Sequence, residues 1–202
     1  YEPTFTRREA LRTAAFWMLS LYTVLVYPVQ AGVSLHQAPH LIERGIEPTA
    51  AALMISSFSL ASAISGFAFG LTARRNSVQL SLSLSAAALL AGATLMIWVS
   101  TNYQGYAAAI LFGFGVGGII TILPIAWADF FGRRSFGAIR GIALSIQVIA
   151  QAVGPILSGV LRDLGGDYVL SLLIFAGMAG AAMVAAWFLM VPRRSPDLGS
   201  SA

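Results

Sequence analysis

The amino-acid sequence predicts an all-α membrane protein whose 202 residues form one bundle of six transmembrane helices. Hydrophobic residues make up 57% of the chain and charged residues only 10%, against about 25% charged residues in soluble domains. The apolar runs are also long enough to cross a bilayer core, which takes about 20 residues of helix. We predict spans over residues 13–35, 49–71, 78–99, 105–128, 141–161 and 168–191.

The first span carries a polar stripe on an otherwise apolar helix. Its polar residues recur at steps of four, three, four and three, which places them on one helical face: Thr23, Tyr27, Gln30, Ser34 and Gln37. Pro28 interrupts the hydrogen bonding of the same helix and is expected to bend it. A membrane-length helix with one polar face is typical of the lining of a solute path.

The fifth span repeats this pattern. Gln147, Gln151, Gly154 and Ser158 follow steps of four, three and four, and Pro155 lies near the middle of the helix. We therefore expect spans one and five, together with two and four, to line a shared path. The third and sixth spans are mostly apolar, so we expect them to lie outside, towards lipid.

The two stripes supply the candidate site residues. The predicted substrate-binding side chains are Tyr27, Gln30, Gln147 and Gln151. His36 is a candidate proton-coupling residue, because histidine exchanges protons near neutral pH. The residues expected to bend the helices are Pro28, Pro124, Gly154 and Pro155.

The glycines of the fourth span formally match a dinucleotide-binding motif. Gly113, Gly115 and Gly118 have the G-x-G-x-x-G spacing, which binds a pyrophosphate only between a strand and a helix of a soluble fold. Inside an apolar helix they favour close packing instead, and we predict a helix crossing at Gly113 and Gly117. The second span has a similar packing face: Ser59, Ser62, Gly66 and Gly70. We expect no cofactor and no metal.

The basic residues indicate the orientation of the chain. All twelve are arginines scattered between the apolar runs, which disfavours a nucleic-acid partner. An even number of spans puts both ends on one side, and assigning that side to the cytoplasm leaves ten arginines inside and two outside. We predict a multi-pass protein of the cell (inner) membrane with both ends cytoplasmic. The tryptophans lie near span ends, as interfacial side chains do: Trp17, Trp98, Trp127 and Trp187.

The acidic residues argue against an enzyme. All eight lie at span ends or in connections, and no span contains a catalytic or metal-binding set. We therefore predict a non-enzymatic protein, either a transporter or a non-transporting membrane scaffold or sensor, and the polar stripes favour the transporter. We expect any fixed charge that binds a substrate to come from residues outside this chain.

Several stretches resemble the carboxy-terminal half, helices seven to twelve, of a major facilitator superfamily transporter. The segments HQAPHLIERGIEPTAAAL, GRRSFGAIRG and GPILSGVLRDLGGDY resemble the bacterial monocarboxylate-porter and oxalate/formate-antiporter branch of that superfamily. Gly66, Arg74 and Arg75 resemble a degenerate copy of its cytoplasmic loop motif, in which Gly70 replaces the expected acid.

This resemblance implies one six-helix bundle of a larger transporter, completed by an amino-terminal half that we expect to precede these residues. It implies secondary active transport of a small organic solute by alternating access, with an organic anion such as a monocarboxylate as the favoured substrate. A drug-like or sugar-like solute is an alternative. Monocarboxylate carriers commonly place an arginine in the eighth helix. The second span has no charge, so we expect the counter-charge in the amino-terminal half.

Overall fold

The structure is a computed structural model that describes residues 5–73, 75–132, 136–190 and 192. Within these ranges the chain forms no strand and seven helices: α1 (Arg7–Ala10), α2 (Ala14–Glu43), α3 (Pro48–Thr72), α4 (Val78–Ile97), α5 (Asn102–Phe131), α6 (Phe136–Gly165) and α7 (Val169–Trp187). The helices from α2 to α7 are long and apolar enough to cross a membrane, as the sequence predicts.

The long helices continue beyond the predicted spans. α2 runs to Glu43 rather than to residue 35, and Pro39 is accommodated within it because proline removes only one backbone donor. This helix ends just before Gly45, which adopts a positive φ of 85°. α6 likewise covers Phe136–Gly165 in place of 141–161. The length of an apolar run shows how much of a helix crosses the bilayer core. The helix itself ends at capping residues and glycines, which lie farther along the chain.

α3 and α5 cross at two glycines of α5. A Cβ atom at Gly113 would lie 2.3 Å from the carbonyl oxygen of Phe58, and one at Gly117 would lie 2.1 Å from the carbonyl oxygen of Ser62. Both positions therefore require glycine, because a side chain would push the two backbones apart. The predicted crossing at Gly113 and Gly117 is confirmed.

The small residues of α3 differ in what covers them. Gly66 and Gly70 face Thr121 of α5, which would lie 3.1 and 3.6 Å from a Cβ atom built at each. Ser59 is exposed instead, and its hydroxyl donates to the Ile55 carbonyl of its own helix. The predicted place of Ser59 in the packing face is therefore wrong.

α2 and α6 form the second close crossing. A Cβ atom at Gly154 would lie 2.2 Å from the carbonyl oxygen of Pro28, and one at Gly32 would lie 3.0 Å from the carbonyl oxygen of Gly154. Pro28, Pro124 and Pro155 all lie inside continuous helices, so bending at these residues stays a prediction. The crossing brings the two polar stripes side by side.

α4 and α7 pack against each other through polar groups as well as apolar ones. The Gln79 amide donates to the Leu189 carbonyl at 2.9 Å, and the Ser83 hydroxyl donates to the Met183 carbonyl at 3.2 Å. As a result, 61% of the apolar core segment of α4 is buried. This burial comes from packing against α5 and α7, so the predicted position of α4 outside the path, towards lipid, stays a prediction. One exposed stripe contains its large apolar side chains: Leu80, Leu84 and Leu95.

One tryptophan belongs to the core. Trp127 is 1% exposed and packs against Phe16 and Phe131, with ring centroids 5.2 and 5.7 Å away. Its predicted interfacial position is therefore wrong, because the end of α5 that carries it is covered by the beginning of α2. The other tryptophans are more than half exposed: Trp17, Trp98 and Trp187.

Candidate substrate site

The crossing of α2 and α6 is flanked by an open cavity of about 530 Å³. Its lining comes from both polar stripes and from small or apolar neighbours: Gln30, Ala31, Ser34, Leu35, Val148, Gln151, Ala152 and Pro155. Pockets for small molecules typically have volumes of roughly 300–1,000 Å³. The cavity therefore has the size and the mixed lining that suit a small organic solute.

Two of the four predicted substrate-binding side chains meet in this cavity. The Nε2 atom of Gln151 donates to the Oε1 atom of Gln30 at 3.5 Å, and both side chains are half-buried. This long hydrogen bond uses one donor and one acceptor, so each amide keeps hydrogen-bonding capacity for another partner. The structure thus brings Gln30 and Gln151 together, and their contact with a substrate stays a prediction.

The other two predicted side chains, Tyr27 and Gln147, lie outside the cavity lining. Tyr27 is 4% exposed, and the Oε1 atom of Gln147 accepts a hydrogen bond from Nη2 of Arg140 at 3.4 Å. A second polar group therefore forms along the same stripes, nearer the beginning of α6.

Arg140 is the polar group of this region that the sequence analysis missed. It lies in the second turn of α6, one residue before the predicted start of the span. The available signal was its spacing from Gln147 and Gln151, because steps of seven and four residues return to one helical face. A cation therefore lies on this stripe within the chain, and the expectation that the substrate-binding charge comes from outside the chain stays a prediction.

A histidine cluster lies near the opposite end of the α2 stripe. His36, the candidate proton-coupling residue, is half-buried and its Nδ1 atom lies 3.0 Å from a carbonyl of its own helix. The Nε2 atom of His40 lies 2.8 Å from the Met96 carbonyl oxygen, and the Tyr168 ring contacts both imidazoles. Gln37 is 2% exposed, and its amide atoms have no hydrogen-bond partner among the described residues. The space enclosed here is about 10 Å³, the size of one water site.

An ion pair joins α2 and α6 at the same end. Arg162 Nη2 lies 2.9 Å from Glu43 Oε1, and the two side chains are 43% and 34% exposed. Solvent screens such a pair, so it contributes only about 0–1 kcal/mol to stability. It links the ends of the two helices that line the cavity.

The predicted loop motif contributes no group to the cavity. Gly66 packs towards α5, Arg75 is exposed just after α3, and Arg74 lies outside the described residues. In the part of the chain that the structure describes, no three histidine, aspartate or glutamate residues are grouped to hold a metal ion.

Comparison with known proteins decides the family. The sequence profile of the Major Facilitator Superfamily matches residues 11–202. This chain belongs to the Major Facilitator Superfamily. The resemblance seen in the sequence is thereby confirmed, and the six membrane-length helices of the structure agree with it.

Two relatives of this superfamily member are monocarboxylate transporters of Homo sapiens. Monocarboxylate transporter 11 is 28% identical over 211 residues, covering 96% of this chain and 42% of that protein. Monocarboxylate transporter 7 is 27% identical over 180 residues, covering 87% of this chain and 32% of that protein. Both agree with the monocarboxylate-porter-like branch that the sequence motifs indicate.

A third relative carries a different name. The aspyridones efflux protein apdF of Emericella nidulans is 28% identical over 89 residues, covering 43% of this chain and 18% of that protein. The chain therefore spans less than half the length of each of these curated relatives.

Proposed function

We propose that this chain is the carboxy-terminal half of a secondary active transporter that moves a small organic anion, such as a monocarboxylate, by alternating access. The observation that carries the proposal is the cavity at the α2–α6 crossing, in which Gln30 and Gln151 face each other. In a transporter built from two bundles, a site on the inner face of one bundle opens to either side when the bundles rock.

The lining of the cavity suits reversible binding rather than catalysis. Its polar side chains are the Gln30 and Gln151 amides and the Ser34 hydroxyl, which exchange hydrogen bonds without changing charge. The remaining lining is apolar and matches the carbon skeleton of a small acid. We therefore propose transport, with no enzymatic step.

The crossing beside the cavity supports a role in the conformational change. Pro28 and Pro155 each remove one backbone hydrogen bond from a cavity-lining helix, and helices bend most readily at such positions. Gly154 holds the two backbones in contact there. We propose Pro28, Gly154 and Pro155 as the bend points, Pro124 as a further one in α5, and His36 as a proton-coupling residue.

The exposed faces of α3 and α6 support a partner bundle. Only 17% of the apolar core segment of each is buried, and large side chains such as Phe67 and Ile156 are more than half exposed. We propose that an amino-terminal six-helix half covers part of these faces and that lipid covers the rest. The arginine distribution supports both ends of this segment being cytoplasmic, in the cell (inner) membrane.

A solute of another class is the second candidate. The similarity to the aspyridones efflux protein favours efflux of a solute other than a monocarboxylate, and that match covers less than half of the chain. Acetate or pyruvate competes for transport by a monocarboxylate carrier but not for transport by such an exporter. A scaffold or sensor would transport no solute.

Uptake by the full-length protein in proteoliposomes tests the proposed function. We expect saturable uptake of labelled acetate, pyruvate or benzoate, each inhibited by the others, measured with and without a pH gradient. Transport of neutral drug-like compounds with no effect of these acids would contradict an anion carrier. Protein that is correctly inserted yet transports no solute would contradict transport altogether.

A further inference from the structure

A small enclosed space lies where α2 meets α4, α6 and α7, apart from the open cavity. Its volume is about 10 Å³, against about 530 Å³ for the cavity lined by Gln30 and Gln151. The two linings share no described residue, so the two spaces are separate. The polar side chains of the enclosed space come from three helices and the residue before α7: His36, Gln37, His40, Ser158, Tyr168 and Ser171.

Gln37 is the side chain of this lining whose hydrogen bonds are missing. It is 2% exposed, and neither its Nε2 nor its Oε1 atom has a hydrogen-bond partner among the described residues. Burying an amide without hydrogen bonds is costly, and buried amides in native proteins bond to protein groups or to ordered water. Because Gln37 lines the enclosed space, a ligand in that space would supply the missing partner.

The two histidines of the lining each keep one free ring nitrogen. The Nδ1 atom of His36 lies 3.0 Å from the Gly32 carbonyl oxygen. The Nε2 atom of His40 lies 2.8 Å from the Met96 carbonyl oxygen. A carbonyl oxygen only accepts hydrogen bonds, so each of these two nitrogens carries the hydrogen. In the neutral rings, Nε2 of His36 and Nδ1 of His40 are therefore acceptors without a described donor.

The two serines of the lining already have partners. The Ser158 hydroxyl donates to the Ser171 hydroxyl at 3.2 Å, and the Ser171 hydroxyl donates to the Tyr168 carbonyl at 2.9 Å. Both serines are 1% exposed, and their bonds hold α6 against α7 at this space. The polar groups that still need a partner therefore belong to α2.

We propose that the enclosed space binds a single water molecule between Gln37 and the imidazoles of His36 and His40. The water accepts a hydrogen bond from Nε2 of Gln37 and donates to the free ring nitrogens. The volume is that of one water, and these groups supply the roughly two to four polar partners that a buried water needs. No described carboxylate lines the space, which favours water over a metal ion. The site does not depend on which solute is transported.

X-ray radiolysis of the full-length protein tests the site with two methionines that are both 0% exposed. Met96 lines the enclosed space, whereas the sulfur of Met54 lies 2.5 Å from a Cβ atom built at Gly105, so no water fits between them. Radiolysis turns a bound water into a hydroxyl radical, which oxidises a neighbouring methionine to its sulfoxide. By mass spectrometry, we expect Met96 to be oxidised faster than Met54 by about tenfold or more. Equal rates for the two methionines would overturn the inference.

Two glutamine variants test whether Gln37 holds the water. Gln37→Leu removes the amide, and we expect the oxidation rate of Met96 to fall to that of Met54. Gln104→Leu is the control, because Gln104 is exposed and bonds Ser100, and we expect it to leave both rates unchanged. A Met96 rate that stays at the wild-type value in an inserted Gln37→Leu would overturn the inference. Should Gln37→Leu fail to insert, the comparison of Met96 with Met54 in the wild type decides.

Discussion

At the scale of single residues, two kinds of polar group lie along the stripes of α2 and α6. The Gln30 and Gln151 amides form a neutral pair that lines the cavity, and Arg140 supplies a positive charge near the beginning of α6. In a bilayer, a polar group that faces lipid loses hydrogen bonds that water would otherwise provide. On these stripes, Gln30 pairs with Gln151 across the crossing, and Arg140 pairs with Gln147 of its own helix.

Loss of either cavity amide tests the neutral pair. We expect Gln30→Leu and Gln151→Leu each to lower uptake by the full-length protein by about tenfold, because one lost hydrogen bond is worth roughly 0.5–1.5 kcal/mol and its partner is left unpaired. Gln104→Leu is the control, since Gln104 is exposed and bonds Ser100 away from the cavity. Normal uptake in both cavity variants, at normal membrane levels, would remove the amides from the site.

At the scale of the helices, the sequence predicts more of the fold than of the site. Apolar length reveals the six spans, and the polar period reveals that Gln30 and Gln151 share a stripe. The extent of each helix is not readable in this way, because α2 continues through Pro39 beyond the apolar run. Arg140 was missed for the same reason. It lies beside a charged connection in the sequence, and the apolar pattern does not show that it belongs to the helix.

Burial of individual side chains was also beyond the sequence. The sequence places Trp127 by its position near a span end and Ser59 by its helical spacing, but the surroundings of both are set by which helix lies opposite. Trp127 is covered by α2, whereas Ser59 lies at a position of α3 that no helix covers. The helical period of a sequence shows which residues share a face, but it does not show which helix packs against that face.

The α2–α6 crossing is tested by two alanine substitutions on one helix. Gly154→Ala places a methyl group 2.2 Å from the Pro28 carbonyl oxygen, so we expect a loss of about 1–3 kcal/mol in unfolding free energy. Gly159→Ala meets no atom within 4 Å and is expected to be neutral or to stabilise by about 0.5–1 kcal/mol. Thermal unfolding of the full-length protein in detergent measures both, and equal effects would contradict the crossing.

At the scale of the whole molecule, the bundle has a covered side and an open side. α4, α5 and much of α2 are buried, whereas α3 and α6 leave long apolar faces uncovered. The chain matches less than half of the length of its relatives, and we propose that these faces pack against the amino-terminal half. In this proposal the cavity lies between the two halves.

The orientation of the bundle is testable, because the chain contains no cysteine of its own. Arg12 lies before α2 and Tyr103 lies at the beginning of α5, so three membrane crossings separate them. In intact cells we expect Tyr103→Cys to react with an impermeant maleimide, and Arg12→Cys to react only after the cells are opened. The reverse pattern would show that both ends of the segment face outward.

Water access to the α2–α6 cavity tests the central claim most directly. In a full-length protein without other cysteines, Ser34→Cys and Ala152→Cys line the cavity, and Ala181→Cys lies on the exposed apolar stripe of α7. Thiols react with water-soluble maleimides only where water allows the thiolate to form. We expect both cavity cysteines to react, faster than Ala181→Cys by about tenfold or more. Cavity cysteines as unreactive as Ala181→Cys would show that α2 and α6 face lipid or a sealed core, and would contradict the account.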